Sequence, residues 1–141
     1  MKKITVLFLI LALVLSLTAC AAQPQQTDPA PSQTFPADGS VLGEGATVFP
    51  FTVRDLDGSE ITYEIHTDAK IVGEALMALG LIAGTQGDYG LYVKEVCGIQ
   101  ADYDVDKSYW AFYVNGEYAL SGVDTTEITA DTAYAFVRTK D

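Results

Sequence analysis

The chain has 141 residues, one Trp, two Cys, one His and a formal net charge of −11. So acidic a surface repels nucleic acid and does not adhere to anionic lipid by charge, which excludes polynucleotide binding and a basic membrane patch. The length allows one domain with a modest core once the non-globular segments are set aside.

Residues 1–19 read as a lipoprotein signal peptide. Lys2 and Lys3 form a basic start, and residues 4–15 are an apolar run too short and too N-terminal for a membrane span. Leu17-Thr18-Ala19-Cys20 has the order of a bacterial lipobox: aliphatic, small, small, Cys. Small residues let a peptidase reach the backbone, and the Cys20 thiol can carry a diacylglycerol through a thioether. Cys20 is therefore expected to be the lipidated mature N-terminus. Acyl burial at about 0.8 kcal/mol per CH₂ then anchors the protein to the bacterial cell membrane on its extracytoplasmic side. Residues 20–46 are rich in Ala, Gln, Pro, Thr, Ser and Gly, and are expected to be a disordered tether.

The folded domain is expected over residues 47–141. Phe49, Phe51 and Val53 alternate with Pro50, Thr52 and Arg54; after an Asp57-Gly58 turn, Ile61, Tyr63 and Ile65 alternate with polar residues. That is a hairpin with one apolar face, with Pro50 pointing to a strand edge or start. Val72, Ala75, Leu76 and Leu79 recur at helical spacing, Glu74 lies in the first turn, and Gly80 sits where a C′ glycine belongs. This short helix contains Gly73, so packing rather than propensity must hold it. Residues 84–90 read as a glycine-rich loop, 91–97 as a strand, 98–107 as an acidic loop, 124–132 as a connector and 133–139 as a last strand.

The chain is organised around residues 109–123. Alternation places Trp110, Phe112 and Val114 on a core-facing side and Tyr109, Ala111 and Tyr113 on the other. Asn115-Gly116 supplies a two-residue hairpin turn, and 117–120 the return strand. The order hairpin, helix, strand, hairpin, strand describes an α+β domain, a β-grasp (ubiquitin-like) mixed sheet with one helix on one face.

Tyr109-Trp110, Asn115-Gly116 and Gly122-Val123, in that order, resemble the C-terminal domain of transcobalamin and intrinsic factor, and more closely its bacterial counterparts in surface lipoproteins. The resemblance covers roughly residues 47–141 and implies the same β-grasp fold. It also implies a corrinoid such as cobalamin as bound ligand. In transcobalamin and its relatives the ligand sits between this domain and a helical barrel. These 141 residues hold no such barrel, so a partner protein supplying the helical half, or a different ligand, is expected.

The aromatic residues are the strongest functional signal. Tyr89, Tyr92, Tyr109, Tyr113 and Tyr118 exceed the needs of a small core, and Tyr presents a large amphipathic face at low entropy cost. They are expected to form a contact surface for a flat, largely apolar ligand; cross-strand Tyr pairing on an exposed sheet is the plainer alternative. Asp102, Asp104 and Asp106 alternate like the start of a calcium loop, but the following glycine and distal Glu are missing, so a solvated acidic loop is expected rather than a metal site. Cys97 is expected to be a small buried residue, and His66 a lone polar-face histidine. No phosphate-binding glycine motif, nucleophile elbow or His-rich metal motif is present, and no enzyme activity is expected. A protein-interaction or surface-display module is the rival to ligand binding. Cys20→Ser is expected to leave unprocessed precursor, seen as a larger, non-acylated band; normal processing and acylation of that variant would contradict the lipoprotein reading.

Overall fold

A computed structural model of the chain describes residues 34–141. The signal peptide, Cys20 and its lipidation, and the tether up to residue 33 lie outside the described residues.

A six-stranded mixed sheet has the order β1-β3-β2-β9-β7-β8. Its strands are β1 (Val41–Gly43), β2 (Thr47–Arg54), β3 (Glu60–Thr67), β7 (Ser108–Val114), β8 (Glu117–Tyr118) and β9 (Tyr134–Lys140). β2 runs parallel to β9, β1 runs parallel to β3, and the other pairs are antiparallel. A three-stranded sheet of β4 (Ile82–Gly87), β5 (Gly90–Val96) and β6 (Ile99–Gln100) stands apart from it. Helix α1 (Val72–Ala78) links the sheets, and α2 (Tyr103–Asp106) is a single turn before β7.

The alternating strands bury the residues that sequence pattern assigned to the core. Phe49, Phe51, Tyr63 and Ile65 are fully buried, and Val72, Ala75 and Leu76 of α1 join them in one cluster with Trp110, Phe112 and Phe136. Edge-to-face contacts of Phe49 with Tyr134 (5.1 Å) and Phe51 with Phe136 (6.3 Å) knit β2 to β9; Phe112 stacks on Tyr134 at 6.2 Å, tying in β7. Gly80 has φ +67°, and the Leu81 and Gly80 N–H groups donate to the carbonyls of Leu76 and Met77. That pair of bonds is a Schellman ending, with the buried Leu76 and Leu81 supplying its hydrophobic contact.

The N-terminus of α1 has no side-chain cap. The connector after β8 fills that role: Thr126 O accepts from Val72 N and Val123 O from Gly73 N, each at 2.9 Å. A Cβ on Gly73 would stand 3.0 Å from Val123 O, so this glycine admits the connector backbone. Tyr134 Oη accepts from Thr129 N and donates to Glu127 O, pinning the same connector to β9.

Several boundaries differ from expectation. The ordered domain starts before residue 47: Phe35 packs on the core, Pro36 O accepts the Tyr63 hydroxyl at 3.0 Å, and β1 pairs with β3. Two of the glycines that suggest a flexible tether serve a close approach, since a Cβ on Gly43 would overlap His66 O and one on Gly45 the Thr67 carbonyl. Residues 82–87 form a strand, not a loop, and residues 103–106 a helical turn. Pro50 lies in an interior strand, but pairing with β9 begins only at Phe51, so β2 has one neighbour there.

Trp110 is 7 % exposed and its Nε1 donates to Ile99 O at 3.1 Å, bridging the two sheets. Trp110→Ala is expected to cost about 3–5 kcal/mol in chemical denaturation, as for other large-to-small core changes; a loss under about 1 kcal/mol would contradict its core role.

Candidate functional site

The two sheets do not close completely. Between β5, β7 and residues 118–123 lies a groove of about 410 Å³, within the usual range for small-molecule sites. Trp110 and Phe112 of β7 and Phe136 of β9 form an aromatic floor, Leu91 and Val93 of β5 one wall, and residues 119–123 the other. Tyr92 stands at the rim; Tyr118 also borders the groove, with its ring packed on Tyr113 on the other face of the sheet. The groove follows from β-strand alternation: Trp110 and Phe112 face the core side of β7 beside the short β8, and keep 7 % and 8 % of their surface exposed there. β8 is only two residues long, so β7 keeps β9 on one side but loses its neighbour on the other beyond Phe112, whose carbonyl accepts the Ala119 N–H at 2.9 Å. From there the chain turns away and leaves the edge at Trp110 open.

None of the lining residues is charged. The nearby cation is Lys94, with Nζ 5.8 Å from the Tyr92 ring centroid. Leu120, in the outer wall, and Tyr89, at the tip of the β4–β5 hairpin, are fully exposed, so apolar surface continues beyond the groove. A larger depression of about 610 Å³ lies beside Asp38, Glu64 and Asp131, but its aromatic members Phe49 and Tyr63 are fully buried and offer no ring to a ligand.

The five expected ligand-binding tyrosines fall into two groups. Tyr109, Tyr113 and Tyr118 share the open face of the six-stranded sheet, opposite Trp110, and the Tyr113 and Tyr118 rings meet edge to face at 5.7 Å. Burial, then the neighbouring Asp141 carboxylate and the other two phenols, push the Tyr109 pKa up, so it stays a neutral phenol. Tyr89 and Tyr92 sit on the β4–β5 hairpin. Tyr92 and Tyr118 both border the groove, but the Tyr118 ring is turned to Tyr113; Tyr109 and Tyr113 lie outside the lining. Sequence pattern missed Trp110 and Phe112 as site residues because a core-facing residue at a sheet edge looks like any other core residue.

The remaining candidates are engaged within the fold. His66 Nε2 lies 2.7 Å from Glu64 Oε1. Cys97 is buried, and desolvation raises its thiol pKa to about 11. Asp102 caps α2 through Asp104 N, and Asp106 accepts from Ser108 and pairs with Arg138 at 3.0 Å. Those Ser108 hydrogen bonds, then the Arg138 charge, hold the Asp106 carboxyl below its ordinary pKa. The acidic loop is thus partly structural rather than merely solvated. Among the described residues no group of three or more His, Cys, Asp or Glu side chains is arranged for a metal ion. No helix among them is long and apolar enough to cross a membrane.

Residues 69–133 match DUF4430, a domain of unknown function. The match runs from the residues before α1 to the residue before β9 and contains the whole β4–β5 hairpin, β7 and the connector. Among solved structures, a protein from Ruminococcus gnavus ATCC 29149, provisionally described as metal-binding, is 29 % identical with a TM-score of 0.65 over 68 % of this chain and 99 % of that one. Haptocorrin in complex with Cbi is 15 % identical with a TM-score of 0.51 over 67 % of this chain. The matched part is 25 % of haptocorrin, and at that identity the likeness is one of fold. No curated protein matches.

Proposed function

We propose that this chain is a non-catalytic ligand-binding domain whose groove takes a flat, largely apolar small molecule, a corrinoid such as cobinamide or cobalamin. The observation that carries the reading is the uncharged, aromatic-floored groove between the sheets, with Tyr92 at its rim. Stacking on such surfaces removes apolar area from water at roughly 25 cal/mol per Å². The fold likeness to haptocorrin, which was crystallised with Cbi, supports a corrinoid as the first ligand class to test. The strand order β3-β2-β9-β7, with parallel β2 and β9 at its centre and α1 joining the core cluster, supports a β-grasp assignment. A partner protein closes the open side of the groove in this reading, in place of the three quarters of haptocorrin outside the match. In the same reading the lipobox at Cys20 supports a lipid anchor that holds the domain on the extracytoplasmic side of the cell membrane.

The full exposure of Leu120 and Tyr89 favours a second reading, a protein-interaction module using the same rim. Titration separates the two. Trp110 is the sole Trp and lines the groove, so cobinamide is expected to quench its fluorescence saturably in the purified full chain, after correction for absorbance with free tryptophan. Tyr92→Ala is expected to weaken binding about tenfold, or 1.4 kcal/mol, whereas Tyr109→Ala on the open face leaves it unchanged. No saturable quenching would remove the corrinoid reading; equal losses at Tyr109 and Tyr92 would move the site off the groove.

A further inference from the structure

One carboxylate fastens the two walls of the groove to each other. Asp124 follows the groove-lining Gly122 and Val123 in the connector. Its side chain crosses to the β4–β5 hairpin, where Oδ2 accepts the Leu91 N–H at 2.9 Å. Among the described residues this is the hydrogen bond that joins the hairpin to the connector, and Leu91 is itself a lining residue. The other oxygen, Oδ1, is shut off from solvent and has no hydrogen-bond partner.

The surrounding backbone is cut to fit this carboxylate. A Cβ on Gly122 would stand 2.6 Å from Oδ1, and a Cβ on Gly90 would stand 2.9 Å from both Oδ1 and Oδ2. Gly90 has φ +109°, a conformation that favours glycine in its own right. Gly122 is not among the residues with positive φ, so its missing side chain is accounted for by the carboxylate alone. The connector is meanwhile anchored from behind by Gly73 N donating to Val123 O. Asp124 therefore ties the β4–β5 hairpin to a connector that is itself held against α1.

We propose that Asp124 is the positioning residue of the groove: its carboxylate, seated between Gly90 and Gly122, holds the Leu91–Tyr92 wall at the spacing a flat ligand needs. The ligand half of this proposal rests on the function proposed above; the clasp itself does not. An uncompensated buried oxygen is costly, and the structure tolerates it where the second oxygen makes a charge-assisted bond between two segments distant in sequence.

The clasp is tested first without ligand. By amide-resolved hydrogen exchange on the full chain, Asp124→Ala is expected to lower protection at Leu91 by about tenfold or more while β7–β9 amides keep theirs. Asp124→Asn retains a carbonyl acceptor and is expected to restore most of that protection. Gly122→Ala is expected to lower the melting temperature in the wild-type background and to have little further effect beside Asp124→Ala, because the clash is then gone. Unchanged Leu91 exchange in Asp124→Ala, or an additive double variant, would overturn the clasp. Cobinamide titration follows: Asp124→Ala is expected to bind at least about tenfold more weakly than wild type, with Asp124→Asn close to wild type. Equal affinity in all three overturns the positioning role. A wild type that has the clasp but takes no cobinamide removes the ligand proposal and the positioning role with it, and leaves the clasp as a purely structural bond.

Discussion

The backbone at Val123 and Asp124 touches elements far apart in sequence, and glycines make each approach possible. Gly73 lets Val123 O reach the uncapped start of α1, while Gly90 and Gly122 leave room for the Asp124 carboxylate against the hairpin. A helix of seven residues has little stability of its own, so the carbonyls that receive its first N–H groups matter more than its propensity. Without the connector in place, α1 would lack its N-terminal partners, the hairpin would lose its tie, and the groove its outer wall. One irregular segment thus joins helix, hairpin and site.

Around that segment the energetics divide by location. The core is aromatic, with β2, β9 and β7 locked through five rings. Charge is kept to the perimeter, where Arg138 gathers Asp55 and Asp106 at the far end of β9 from Tyr134. The groove lies between these zones. Its floor belongs to the core and its rim to the surface, so a ligand there would meet buried rings below and the exposed Tyr92 and Leu120 above. Rigid floors lower the ordering cost of binding, which is where affinity is most easily lost.

Much of the architecture was legible in local pattern. Alternation at Phe49, Phe51 and Val53 and at Trp110 and Phe112 fixed which faces are buried. Asn115 and Gly116 both have positive φ, as the two-residue hairpin requires, and Gly80 ends α1 where its position indicated. What escaped local reading depends on distant partners. β1 has three residues and exists through β3, and Gly84, which would hit Tyr92 O if it carried a Cβ, looks like a loop glycine until its partner strand is known. The tyrosines were recognisable as surplus to the core, yet pattern could not say that Tyr109 and Tyr92 occupy different surfaces. Asp124 read as the first residue of a connector, because nothing near it in sequence reveals the amide it accepts from.

The central claim is that ligand contact falls on the groove between the sheets and not on the open face of the large sheet. Hydrogen exchange of the full chain with and without saturating cobinamide tests it directly. The account expects slowed exchange in segments 91–93 and 119–123, with no change at Thr52 and Arg54, which line the small depression on the open face. Slowing confined to the open-face segments, or none in the groove walls at saturation, would contradict it.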